Sequence, residues 1–293
     1  MNQKMKKINS FLLIFLSIFL LNSCEKHVVE YKSDPIDETK VALFQIYYMV
    51  PLSSGVANNI NKVELNGKLL ANETTPLNTF NFIPSGAVSK FFTAEPGKVN
   101  LKLYRGAVTS LSLAYNQDID LPAGRYILVV HDFNKPPVLV NYEIPFPTTV
   151  TENTGTTAWI KFSNFLYESE GIPTNLKLQY QFQYTVDNAT GQKSEWLNLG
   201  KPVSFGESTG WEPVVVNKTV ENSAGTARID YRIRLIGPDG SDQGNLTLAG
   251  STAGSVVEYS DWWNAQIGRI YHHCFAGYRF STPTVSVKQF GVQ

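Results

Sequence analysis

Leu176-Lys177-Leu178-Gln179-Tyr180-Gln181-Phe182-Gln183-Tyr184-Thr185-Val186 alternates for eleven residues. Leu176, Leu178, Tyr180, Phe182, Tyr184 and Val186 fall on one side, and Lys177, Gln179, Gln181 and Gln183 on the other. A period of two with one apolar and one polar side predicts a β-strand with one buried and one solvated face. Arg228 to Leu235 repeats the pattern, with Ile229, Tyr231, Ile233 and Leu235 set against Arg228, Asp230, Arg232 and Arg234. Val99, Leu101 and Leu103 alternate with Asn100, Lys102 and Tyr104. From Val41 onward apolar runs of this kind are separated by Gly, Pro, Asn and Asp clusters, and no amphipathic helix interrupts them. Asn66-Gly67 and Asp239-Gly240 have the composition of hairpin turns. The expected fold class is all-β, built from two immunoglobulin-like β-sandwich domains.

The two-domain reading comes from a repeated plan. Ala42-Leu43-Phe44-Gln45-Ile46 opens the first unit and Ala158-Trp159-Ile160-Lys161-Phe162 the second. Near its end each unit carries Gly-Arg and then a strand: Gly124-Arg125-Tyr126-Ile127-Leu128-Val129-Val130, and Gly268-Arg269-Ile270-Tyr271-His272-His273-Cys274. We expect one sandwich over 41–145, a linker over 146–156 that begins at Pro145-Phe146-Pro147, and a second sandwich over 157–293.

The N-terminus reads as an address. Lys4, Lys6 and Lys7 precede an apolar run, Phe11 to Leu21, broken only by Ser17. Eleven residues suit a signal-peptide core and fall short of the about 20 that span a bilayer. Leu21-Asn22-Ser23-Cys24 follows at once and resembles the lipobox of bacterial lipoproteins, with Cys24 as the lipidated residue. Residues 1–23 are then the signal peptide, and 24–40 the lipidated cysteine and a flexible tether. That tether reaches roughly 20 Å. The expected location is the cell outer membrane, held by acyl chains on Cys24. Removing 1–23 takes three lysines and no acid from a chain of net charge +0. This charge balance gives no case for nucleic acid, which calls for a basic surface.

Further motifs resemble one family. Ala158-Trp159-Ile160-Lys161-Phe162-Ser163-Asn164 is similar to the Ala-x-Val-Arg-Phe-x-Asn opening of domain-of-unknown-function family 4397. Val63-Glu64-Leu65-Asn66-Gly67-Lys68 resembles its Asn-Gly-Lys hairpin. Pro96-Gly97-Lys98-Val99 and Leu121-Pro122-Ala123-Gly124-Arg125-Tyr126 resemble its Pro-Gly and Ala-Gly-Lys-Tyr turns. The first unit departs at its opening, with Gln45 for the basic residue and Tyr48 for Asn. The resemblance implies secreted or lipid-anchored bacterial sandwiches with no assigned activity.

Chemistry-bearing residues are few. The chain has 4 histidines and 2 cysteines. No His-Glu-x-x-His motif occurs. His272-His273-Cys274 has ligand-type residues, but a strand turns His273 away from the other two, and the matched segment Leu128-Val129-Val130 is apolar on both faces. These positions are expected to be core, with Cys274 a buried thiol. Asp239-Gly240-Ser241-Asp242-Gln243-Gly244-Asn245 lacks the acidic twelfth position of a calcium loop and reads as a polar turn. No enzyme activity, cofactor or metal is expected. The tryptophans point to binding, since flat rings stack on sugars or anchor a protein partner. Aligning Gly268 with Gly124 pairs Trp263 with Ile119 and Trp262 with Asp118, so Trp263 is expected in the core and Trp262 outward. Trp159, on the side opposite Ile160 and Phe162, is expected outward too. Trp211, beside Thr209-Gly210 and Pro213, is expected on a loop. Trp211 and Trp262 are the candidate ligand-binding residues of a non-enzymatic envelope lipoprotein. Its alternatives are a glycan-binding lipoprotein of a polysaccharide-uptake system and a fimbria-like adhesin subunit.

Overall fold

The computed structural model describes residues 36–85, 90–142, 156–216 and 226–291. Residues 1–35, with the signal peptide and Cys24, and 146–155 of the expected linker lie outside the described residues.

The first half contains β1 (Ala42–Tyr48), β2 (Ile60–Leu65), β3 (Lys68–Ala71), β4 (Phe82–Ile83), β5 (Phe92–Ala94), β6 (Gly97–Arg105), β7 (Ser112–Leu121), β8 (Gly124–Val130) and β9 (Val138–Asn141). The second contains β10 (Thr157–Ser169), β11 (Ile172–Pro173), β12 (Lys177–Asp187), β13 (Gln192–Lys193), β14 (Leu197–Asn198), β15 (Glu212–Val215), β16 (Thr226–Ile236), β17 (Asp242–Asn245), β18 (Thr247–Ala249), β19 (Val256–Glu258), β20 (Ser260–Gln266), β21 (Ile270–Tyr278) and β22 (Ser286–Gly291). The fold is an all-β sandwich fold, and the strand pairs among the described residues stay within one half.

In each half two sheets face each other. Sheet β3-β2-β6-β7 packs on β4-β1-β8-β9, around a core that includes Phe44, Ile46, Val63, Leu101, Leu103, Ile119 and Leu128. Sheet β13-β12-β16-β17, with β20 also on β16, packs on β11-β10-β21-β22, around Phe162, Tyr180, Ile229, Tyr231, Trp263 and Phe275. The Asn66-Gly67 turn joins β2 to β3 with φ of 51° and 77°, the left-handed pair that a two-residue hairpin demands.

A third core joins the halves. Tyr47, Met49, Ile127, Val129, Val140 and Tyr142 meet Phe165, Ile270, Cys274, Ala276 and Phe290. The two inner sheets are therefore covered on both faces, and residues 37–293 form one unit of four layers. Every residue of β1 is buried. This explains the sequence of the inner strands, Leu-Phe-Gln-Ile-Tyr-Tyr and Tyr-Ile-Leu-Val-Val, which run apolar without alternating. The outer strands β12 and β16 keep a solvated face and alternate. Full burial of a large apolar side chain contributes about 1.5–3 kcal/mol, so the seam adds substantially to the stability of the unit. The end of the expected tether also engages: Glu38 pairs with Arg125 at 2.5 Å.

The halves share a topology. β1 runs parallel to β8, and β10 runs parallel to β21. Gly124 N donates to Val41 O and Gly268 N to Thr157 O, both at 2.9 Å, so the two Gly-Arg turns are equivalent. One residue further the register changes. Trp159 N bonds to Arg269 O, and Ile160 then faces Tyr271 as Phe44 faces Tyr126. The extra residue shifts the alignment expected from the sequence. His272, His273 and Cys274 correspond to Ile127, Leu128 and Val129 rather than to Leu128, Val129 and Val130. A slip of one reverses which face each residue takes. His272 and Cys274 accordingly point into the seam, and His273 into the second core.

Candidate functional site

The outer sheet of the second half carries an exposed array of aromatic and polar side chains. β12 and β16 pair Gln181 with Arg232 and Gln183 with Asp230, and β20 adds Trp262 opposite Asp230. Trp262 is 48% exposed on the solvated face, while its neighbour Trp263 is 4% exposed in the core, both as the alignment with Asp118 and Ile119 predicts. The Arg228 guanidinium lies 4.6 Å from the Trp262 ring centre. A second indole joins the face: Arg232 lies 4.3 Å from the ring centre of Trp196. Between them runs a polar lattice. Arg232 Nε donates to Gln181 Oε1 at 2.9 Å, and Gln181 Nε2 to Asn198 Oδ1 at 2.8 Å. Arg228 and Lys193 each donate to Asp230 at 2.7 Å, and both hold its carboxyl below the usual range against the effect of burial. Arg228 and Arg232, four residues apart on one strand, set the two indoles along about 13 Å of sheet.

Trp211 does not belong to this face. It precedes β15, packs half-buried on the seam, and has Lys161 Nζ 4.7 Å from its ring centre. The segment carrying it folds back along β10, where Thr209 N bonds to Phe162 O. Trp159 also packs on the seam rather than facing solvent, because the side opposite Ile160 is covered by the first half. The partner of Trp262 is thus Trp196. No local pattern marks it; its place follows from the pairing of β14 with β12.

The seam holds a polar chain that sequence reasoning missed. Ser208 lines a cleft of about 690 Å³ that also touches Asn141, Lys161 and Glu212. Ser208 Oγ lies 2.6 Å from Ser163 Oγ, which lies 2.6 Å from His272 Nε2. His272 is fully buried, with Cys274 Sγ 3.5 Å from Nε2. Ser208 is the centre of Gly206-Glu207-Ser208-Thr209-Gly210, which has Gly-x-Ser-x-Gly spacing but lies between two strands rather than on a strand-to-helix elbow, and Ser163 stands 45 residues from Ser208 and 109 from His272. Burial and the nearby Lys161 charge push His272 well below the usual histidine range, so it is neutral. Among the described residues no carboxylate orients it. An imidazolium formed here would sit in an apolar seam beside the Lys161 ammonium, so Ser208, Ser163 and neutral His272 form a hydroxyl–imidazole network.

The polar turn at Asp239–Asn245 spends its oxygens locally. Asp239 Oδ1 accepts from Ser241 N and Oγ, and Asp242 pairs with Arg234. Glu168 accepts from Thr174 Oγ1 at 2.7 Å and faces Arg279. No group of three or more metal-ligating side chains occurs among the described residues. No family model matches the chain, and no curated protein matches it either.

Proposed function

We propose that this chain is a non-enzymatic lipoprotein of the bacterial cell envelope, anchored at the outer membrane through Cys24, whose outer second-half sheet binds an extended glycan. The observation that carries the reading is the pair Trp196 and Trp262, each against an arginine, flanking a lattice of Gln181, Asn198, Arg232 and Asp230 on one solvated face. Indole faces stack on sugar rings, and planar amide, guanidinium and carboxylate groups bond hydroxyls in pairs. The lipobox resemblance and the family 4397 motifs support the envelope location without naming a ligand. The seam supports a rigid body that presents one fixed face.

The test is a glycan-array screen of soluble residues 25–293 beside the Trp196→Ala, Trp262→Ala double variant, followed by calorimetry on hits. Saturable binding that the double variant loses supports the reading. Binding that survives it, or none, counts against it and directs the search to an envelope protein partner. Radiolabelled palmitate incorporation, lost in Cys24→Ala, tests the anchor separately.

A further inference from the structure

A second cavity, of about 280 Å³, opens on the seam and is walled by both halves. Arg105, His131 and Phe133 come from the first half; Tyr167, Glu170 and Tyr278 come from the second. It falls just below the range of about 300–1,000 Å³ typical of sites for drug-sized molecules, so it suits a smaller ligand.

Its charges are arranged for a ligand of two signs. The Arg105 side chain faces the Tyr48 hydroxyl, and neither Arg105 nor Glu170 makes an ion pair with any described residue. The Arg105 guanidinium lies over the Phe133 ring at 5.5 Å. Asp132, also in the wall, accepts from Asn134 N at 2.9 Å and has Lys135 Nζ at 3.9 Å. A pure cation would meet Arg105, and a pure anion would meet Glu170 and Asp132.

The Tyr167 hydroxyl donates to the His131 carbonyl oxygen at 3.3 Å, so it accepts from Nδ1–H, and in that tautomer Nε2 is an uncharged acceptor. His131 is 5% exposed, and its Nδ1 lies 2.8 Å from the Tyr167 hydroxyl. Its Nε2 bonds to no described residue, yet it is not among the sealed polar atoms, as His273 Nε2 is, so it opens on the cavity. Such a nitrogen, in a side chain otherwise buried, calls for a hydrogen-bond partner from outside the chain.

We propose that this cavity binds a small zwitterion of the size of a free α-amino acid, with its carboxylate on Arg105 and its ammonium shared by Glu170 and His131 Nε2. Tyr167, Tyr278 and Phe133 take the remainder of the molecule, and their ring faces add to the hold on the ammonium. Charge-assisted bonds at both ends make recognition depend on both ligand groups. Because residues of both halves contact the ligand, its binding also stabilises the folded unit. This site is independent of the tryptophan face, so either proposal stands without the other.

The experiment is thermal unfolding and titration calorimetry of residues 25–293 with each of the common L-amino acids to millimolar concentration. The N-acetyl and carboxamide forms of any binder follow. The expected result is at least one saturable binder. Blocking either end, Glu170→Gln, or Arg105→Gln should each weaken it about tenfold or more, while Trp262→Ala leaves it unchanged. Glu170 is exposed, so Glu170→Gln keeps the fold. Absence of any saturable binder overturns the proposal, as does binding that survives either substitution or tolerates a blocked end.

Discussion

Tyr47 and His272, on β1 and β21 of different halves, face each other across the seam with ring centres 5.5 Å apart. The Phe290 ring packs edge-on against Tyr47 at 4.5 Å from the other half, and Phe82 closes the cluster at 5.2 Å. The halves share no strand pair among the described residues, so side-chain contacts across the seam couple them: this apolar cluster together with the His131–Tyr167 and Lys161–Asn141 hydrogen bonds. All 5 tryptophans lie between residues 159 and 263, in the second half. Tyr47→Ala, made in the first half, should cost about 3–5 kcal/mol. It should lower the urea midpoint read by tryptophan fluorescence, with one transition by every probe. A tryptophan transition that does not move would show that the halves unfold independently.

Three buried histidines make stability depend on acid. Burial lowers His131 to about 4 and His273 to about 3, and desolvation puts His272 well below its ordinary value as well. Unfolded histidines titrate near 6.5, so below that pH the unfolded chain binds more protons than the folded one. The stabilisation is complete above about pH 6.5 and is lost as pH falls toward 4. Each histidine contributes a slope of up to about 1.4 kcal/mol per pH unit in that window. The melting temperature should hold above about pH 6.5 and fall steadily from there to pH 4.5, and His131→Asn should shallow the fall. A flat profile over this range contradicts the buried neutral histidines.

The strand class was legible because the outer strands alternate: Ile229, Tyr231, Ile233 and Leu235 are all buried, as their spacing predicts. The parallel partner of each opening strand was half-visible in the repeated Gly-Arg. The seam was not. Gln45, Lys161, Ser163 and His272 are buried on it, and single polar residues in an apolar run look the same whether they face water or a second sandwich. The one-residue shift after Gly268 leaves no compositional trace, yet it decides which way His272 points. The tryptophan face was half legible. Trp262 followed from alternation, while Trp196 and Trp211 sit in segments whose place depends on partners distant in sequence.

Ser163 holds the middle of the seam's polar chain, so its loss should cost more than that of Ser208. Ser163→Ala leaves both Ser208 and the fully buried His272 without their 2.6 Å partner. A buried polar group stripped of its bond costs about 1–3 kcal/mol. Ser208→Ala removes only the end that lines the cleft and leaves the bond from Ser163 to His272 intact. Chemical denaturation of the two variants should rank Ser163→Ala as the less stable. Equal midpoints would mean that the chain contributes nothing as a network.

Cys274 is the only thiol in residues 25–293, and it is fully buried, with its pKa pushed well up by desolvation. Attack on a disulfide reagent needs thiolate and access, and this thiol has neither. Ellman's reagent should therefore leave the native protein unlabelled over hours and titrate one thiol in denaturant. The labelling rate at intermediate urea should follow the population of opened molecules. Fast labelling of the native protein would place Cys274 at the surface.

Gly277 is the backbone position in β21 where a side chain has no room. Its φ is +134°, and a Cβ there would sit 2.6 Å from Val285 Cα and 2.7 Å from Val285 N. Those contacts are backbone, so no rotamer change relieves them, and the left-handed φ adds its own cost for any L-residue. Gly277→Ala should destabilise the protein by about 1–3 kcal/mol or more. Gly291, on the neighbouring strand of the same sheet, offers the control: a Cβ there meets nothing within 4 Å. Gly291→Ala should leave the urea midpoint within experimental scatter. If the two alanines behave alike, the close approach of Val285 to β21 is wrong.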